Sequence, residues 1–97
     1  MSQILFKFES GETTKNRDIL ADRNASLKEI FTNYLQQTGS IITFDLQKIQ
    51  FLSKAKVLNS DKFLNKKARE IFNQTVTNTT IKVIDSGNVL GGWKMNN

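Results

Sequence analysis

The sequence predicts a single α+β domain, and three observations carry that expectation. Residues Gln3 to Phe8 alternate in polarity, with Ile4, Phe6 and Phe8 on one face and Leu5 and Lys7 on the other, the pattern of a half-buried strand. Ser26 to Gly39 carries the start signal, apolar stripe and stop signal of an amphipathic helix. Thr80 to Ile84 is a short β-branched run suited to a last strand. At 97 residues the chain is long enough for one small core and no second one.

Taken in order, the first strand is followed by Glu9-Ser10-Gly11-Glu12, a turn in which Gly11 supplies a positive φ if one is needed. A second extended segment runs from about Lys15 to Asp22, around Ile19 and Ala21. The helix begins at Ser26-Leu27-Lys28-Glu29, a capping box in which the serine hydroxyl takes a free backbone N–H and Glu29 reaches back to the cap. Leu27, Ile30, Phe31, Tyr34 and Leu35 then fall on one stripe, and Gly39 ends the helix after Thr38. Ser40 to Leu46 is apolar and reads either as a short strand or as a packed loop. Lys48 to Lys54 reads as a strand with Ile49 and Phe51 on one face and Gln50 and Leu52 on the other. Ser60-Asp61 opens a second, shorter helical stretch with Leu64, Ala68, Ile71 and Phe72 on one side. Asn73 to Thr79 is a polar connection to the last strand. The domain is expected over residues 1–86, with 87–97 a flexible tail containing Leu90-Gly91-Gly92. Ile4, Phe6, Leu27, Ile30, Tyr34, Phe51, Ile81 and Val83 are the expected core.

Composition narrows the chemistry. With no cysteine and no histidine, thiolate nucleophiles, disulfides and the usual zinc ligands are absent. The nine carboxylates have no recognisable spacing, and no phosphate-binding glycine loop occurs. A non-catalytic protein without cofactor or metal is expected. No apolar run is long enough to span a membrane, and the N-terminus reads as a strand rather than a leader. Cytosol or nucleus is the expected compartment, so the acceptor-like triplets at Asn24, Asn73 and Asn78 carry no glycan meaning. The net charge of +5 arises in residues 47–70, where Lys48, Lys54, Lys56, Lys62, Lys66, Lys67 and Arg69 face only Asp61 and Glu70. Such a segment attracts acidic protein surfaces or nucleic acid. A solvated lysine face is the first reading of this segment; if it binds, acidic protein surfaces come ahead of nucleic acid, because aromatic residues are not interleaved there for base stacking.

Together these pieces resemble ubiquitin-like proteins. Gln3-Ile4-Leu5-Phe6-Lys7 with Gly11 looks like the family's first strand and turn, and Leu27, Ile30, Tyr34 and Gly39 match its helix spacing. Ile49 to Leu58 resembles its third strand and turn lysine, Thr80 to Ile84 its last strand, and Val89-Leu90-Gly91-Gly92 its tail. The resemblance implies a β-grasp: a mixed four- to five-stranded sheet with one long helix across one face and a second, shorter helix. It also implies recognition of other proteins through the sheet face away from the helix. Leu52 and Ile84 would form the apolar centre, side by side, and Lys7, Gln50, Lys54 and Lys82 the rim. Glu9 stands where the family carries an apolar residue. Two further roles follow from the same likeness. One is a modifier precursor trimmed after Gly92 and joined to target amines, with Leu90, Gly91 and Gly92 as its conjugation tail; Trp93 to Asn97 extend past those glycines. The other is a Phox-and-Bem type pairing through the basic Lys7, for which the acidic half is missing. If the tail is not cleaved, Trp93 is a candidate anchor against the domain or a partner.

Overall fold

The computed structural model describes residues 2–90. Five strands form one mixed sheet: β1 (Gln3–Ser10), β2 (Arg17–Asp22), β3 (Gln50–Ser53), β4 (Lys56–Val57) and β5 (Asn78–Ile84). Helix α1 (Leu27–Gln37) follows β2, and the short α2 (Ala68–Ile71) precedes β5. The strand order is β2-β1-β5-β3-β4. β1 is antiparallel to β2 and parallel to β5, and β3 is antiparallel to both β5 and β4. This is the mixed sheet that the resemblance implied, with the upper end of the expected strand count.

Each strand's alternation sets its faces. Ile4, Phe6 and Phe8 on β1, Phe51 on β3, and Ile81 and Val83 on β5 turn to the helix side and are buried. The five stripe residues of α1 are buried against them. Aromatic rings fasten the two layers: Phe8 stacks on Tyr34 at 4.4 Å between centroids, and Phe31 on Phe51 at 4.3 Å. All eight expected core residues are in this core.

The N-terminus of α1 shows how a local signal and a distant segment divide one task. A helix leaves its first four N–H groups without intrahelical partners. The Ser26 hydroxyl accepts the Glu29 N–H at 3.1 Å, and the Ser26 N–H donates to Glu29 Oε1 at 3.0 Å, the expected capping box. The N–H groups of Leu27 and Lys28 donate instead to the carbonyls of Lys66 and Leu64, both at 2.9 Å. That demand keeps residues 60–67 in successive turns, so the expected second helix shrinks to the four residues of α2. At the other end Gly39 takes the left-handed conformation (φ 68°) expected of it.

Several boundaries differ from expectation. Thr13–Lys15 forms a 3₁₀ turn, so β2 begins at Arg17 rather than Lys15, and Gly11 is not among the positive-φ glycines. Ser40 to Leu46 forms a loop: Phe44 packs on the core, whereas Ile41, Ile42 and Leu46 stand exposed. β3 starts only at Gln50 because the N–H groups of Lys48 and Ile49 both donate to the Asp45 carbonyl at 2.9 Å. Asn59, 2% exposed, ties this region together. Its Oδ1 accepts the Phe51 N–H, and its Nδ2 donates to the carbonyls of Ile49 and Phe44.

The largest correction lies after β5. Residues 87–90 do not leave the domain: Val89 and Leu90 are 2% and 4% exposed, and Leu90 joins the core cluster. The Asp85 carboxylate accepts the Val89 N–H at 2.7 Å and the Leu90 N–H at 2.9 Å. The Gly87 N–H donates to the Lys48 carbonyl at 2.7 Å. A Cβ at Gly87 would sit 2.9 Å from the Lys48 Cβ, so glycine is what lets the two chains approach. The domain therefore runs through Leu90 rather than ending at residue 86.

Candidate protein-interaction face

The face of the sheet away from α1 is set by the residues between the buried ones. On β3 these are Gln50 and Leu52, and on β5 Thr80, Lys82 and Ile84; Gln50, Leu52 and Ile84 are half-buried. Register places Leu52 opposite Lys82 and Gln50 opposite Ile84. Leu52 and Ile84 are thus diagonal neighbours rather than the expected side-by-side pair. A diagonal of this kind spans roughly 7–8 Å, close enough for long side chains to meet.

Register also adds a residue that the sequence did not single out. Val57 on β4 pairs with Leu52 and is half-buried on the same face. The apolar centre is therefore Leu52, Val57 and Ile84, with Gln50 and Lys82 interleaved. Lys54 lies at its lower edge, in the turn after β3, with φ 48°. Lys7 is farther away: it lies on β1 and pairs with Thr80 of β5, so β5 separates it from Leu52. Glu9 pairs with Lys82, which sets a carboxylate beside the rim. A second apolar spot, Leu5 opposite Leu20, occupies the far end of the face, where Leu20 is 59% exposed.

The remaining site residues fall elsewhere. Leu90, the first residue of the expected conjugation tail, is buried in the core. Gly91, Gly92 and Trp93 lie outside the described residues. Among the described residues no group of three or more His, Cys, Asp or Glu side chains is placed to hold a metal ion. No described helix is long and apolar enough to cross a membrane. Among the described residues Tyr34 and Glu70 are perturbed. Burial raises the Tyr34 phenol to about 12, against opposing pulls from Arg17 and Ser10. The Lys67 N–H, donating to Glu70 Oε2 at 2.9 Å, holds the Glu70 carboxyl below its ordinary value, with Lys66, Arg69 and Lys67 adding to it.

With this geometry in hand, the fold has a counterpart of known structure. The ubiquitin-like domain of an Arabidopsis thaliana protein, determined by solution NMR, superposes with a TM-score of 0.67 at 13% identity, over 89% of this chain and 80% of that one. No family model matches the sequence, and no curated protein matches it. The chain has the ubiquitin-like β-grasp fold.

Proposed function

We propose that this ubiquitin-like fold works as a non-catalytic protein-recognition module in the cytosol or nucleus, alone or as a subunit of a larger assembly. It binds partners through the outer sheet face centred on Leu52, Val57 and Ile84. The observation that carries this reading is a compact apolar spot inside a polar surface, rimmed by Gln50, Lys54 and Lys82. An apolar centre with a polar rim is the anatomy of a protein interface, and the lysines favour a partner with carboxylates around an apolar contact. Lys7 contributes to the field of the face from β1 rather than to its centre.

The experiment is affinity purification from the native source with the Leu52→Asp, Ile84→Asp double variant beside the parent chain. Partners retained by the parent should be lost from the variant while its circular-dichroism spectrum is unchanged. Equal recovery by both proteins would move the interface elsewhere, first to the basic 62–69 segment.

The modifier reading rests on Leu90-Gly91-Gly92. A processing enzyme needs an extended strip ahead of its scissile bond, and the burial of Val89 and Leu90 commits part of that strip to the core. Recognition without conjugation therefore ranks ahead. Intact mass of the native protein separates the two: retention of Trp93 to Asn97 supports a fixed binding module, and their loss supports processing after Gly92.

A further inference from the structure

A groove at the opposite end of β5 is distinct from that face. β3 covers β5 only from Gln50 to Leu52, opposite Ile84 to Lys82. Lys54 and Ala55, with φ of 48° and 70°, then swing the chain into β4 on the far side of β3. Among the described residues the starting half of β5 therefore has a strand neighbour on one side only, with Lys7 beside Thr80 and Leu5 beside Asn78. The Leu5 N–H donates to the Thr77 carbonyl at 2.9 Å, so the odd-numbered residues of β5 turn their peptide groups toward β1. By alternation, Asn78 and Thr80 turn theirs toward the side that β3 has vacated.

That uncovered edge opens onto a groove of about 680 Å³. Its walls include buried Leu58 and half-buried Ile71, Phe72 and Val76, while Lys54 and Lys56 stand exposed at its rim. Among the described residues no carboxylate lines it, and the 47–70 segment that supplies its lysines carries seven cations against two acids. An unpaired strand edge is a template for another strand. Here it comes with an apolar wall and a cationic rim.

We infer that this groove binds an extended peptide segment of alternating acidic and apolar residues, which adds to β5 in the line that β3 leaves open. Main-chain hydrogen bonds to Asn78 and Thr80 hold it, alternate apolar side chains enter between Leu58 and Phe72, and its carboxylates meet Lys54 and Lys56. Strand addition of this type takes affinity from the backbone and specificity from the alternate side chains. The inference goes beyond the sheet-face reading and does not depend on it.

The test is an amide chemical-shift titration of the isotopically labelled full chain with the capped peptide Glu-Val-Glu-Leu-Glu-Val-Glu. A peptide of the same composition with its glutamates in one block serves as control, as does an alternating peptide N-methylated at every second amide. Saturable shifts are expected at Asn78 and Thr80 and across 53–58 and 71–76. The block peptide, the N-methylated peptide and the Lys56→Glu variant should each bind at least about tenfold more weakly, which corresponds to roughly 1.4 kcal/mol. The Leu52→Asp, Ile84→Asp variant should bind the peptide as the parent does, which keeps this test separate from that of the outer face. The inference is overturned by absence of saturable shifts up to about 1 mM peptide, where even a millimolar complex is half-formed. It is equally overturned by shifts centred on Gln50, Leu52 and Ile84, or by undiminished binding of the block or N-methylated peptide. The same shifts appearing on raising the protein concentration without peptide would assign the groove to a second copy of this chain, and would also overturn it.

Discussion

Replacing Leu90 by alanine separates a domain that ends at β5 from one that continues to the Leu-Gly-Gly stretch. Leu90 is 4% exposed and belongs to the core cluster. Three main-chain contacts hold it there: the Asp85 carboxylate takes the N–H groups of Val89 and Leu90, and Gly87 is pinned to the Lys48 carbonyl. Truncating a leucine in such a place forfeits its transfer free energy and leaves a cavity, about 2–5 kcal/mol together. The same change in an exposed tail costs within about 0.5 kcal/mol. Urea unfolding of the full chain, followed by circular dichroism, resolves the two if the slope with denaturant is shared. In a thermal scan, a loss of 2 kcal/mol lowers Tm by roughly 8–16 °C for a domain near this size. Asp85→Ala supplies a second arm. In its background Leu90→Ala should cost less than in the parent, with a coupling of about 0.5–3 kcal/mol, because the carboxylate is what holds residue 90 in place. A loss below about 0.5 kcal/mol for Leu90→Ala would refute the burial and return residues 87–90 to a free tail.

Two further outcomes follow from buried polar groups. Tyr34 is the only tyrosine, its hydroxyl donates to the Lys15 carbonyl at 2.8 Å, and burial pushes its pKa up to about 12. An unfolded phenol ionises near 10, so Tyr34 contributes its full stability below about pH 10 and loses it as pH rises toward about 12. Phenolate absorbance should therefore appear late and together with loss of the native spectrum, and Tyr34→Phe should remove this part of the alkaline sensitivity. Phenolate forming near pH 10 in a still-native protein would contradict it. Asn59→Ala should cost about 2–6 kcal/mol in urea unfolding, because it leaves the Phe51 N–H and the Ile49 carbonyl without their partner, at about 1–3 kcal/mol for each buried group; a loss under about 1 kcal/mol would mean that water or a rearranged loop replaces the amide.

What the chain determined locally could be read from its residues. The stripe from Leu27 to Leu35, the Ser26–Glu29 box and the Gly39 stop depend on neighbours three and four positions apart, and all three stand in the structure. The alternation of Ile4, Phe6 and Phe8, and of Ile81 and Val83, likewise assigns faces without reference to any partner strand. The resemblance to ubiquitin-like proteins then supplied the overall arrangement, and its six surface residues mostly share one face. Tertiary structure decided everything that needed a residue from afar. The parallel pairing of β1 with β5 joins the two ends of the domain. The diagonal offset of Leu52 and Ile84, the addition of Val57 and the displacement of Lys7 are matters of register, which alternation alone leaves open. Residues 60–67 carry a helical pattern, yet the carbonyls of Leu64 and Lys66 go to the first turn of α1. Val89 and Leu90 have no periodicity to announce burial; they are inside because Asp85 and Lys48 bind the chain around them. Periodicity reports which side of an element faces the core, whereas hydrogen bonds between distant segments settle where the elements end and which surface they leave open.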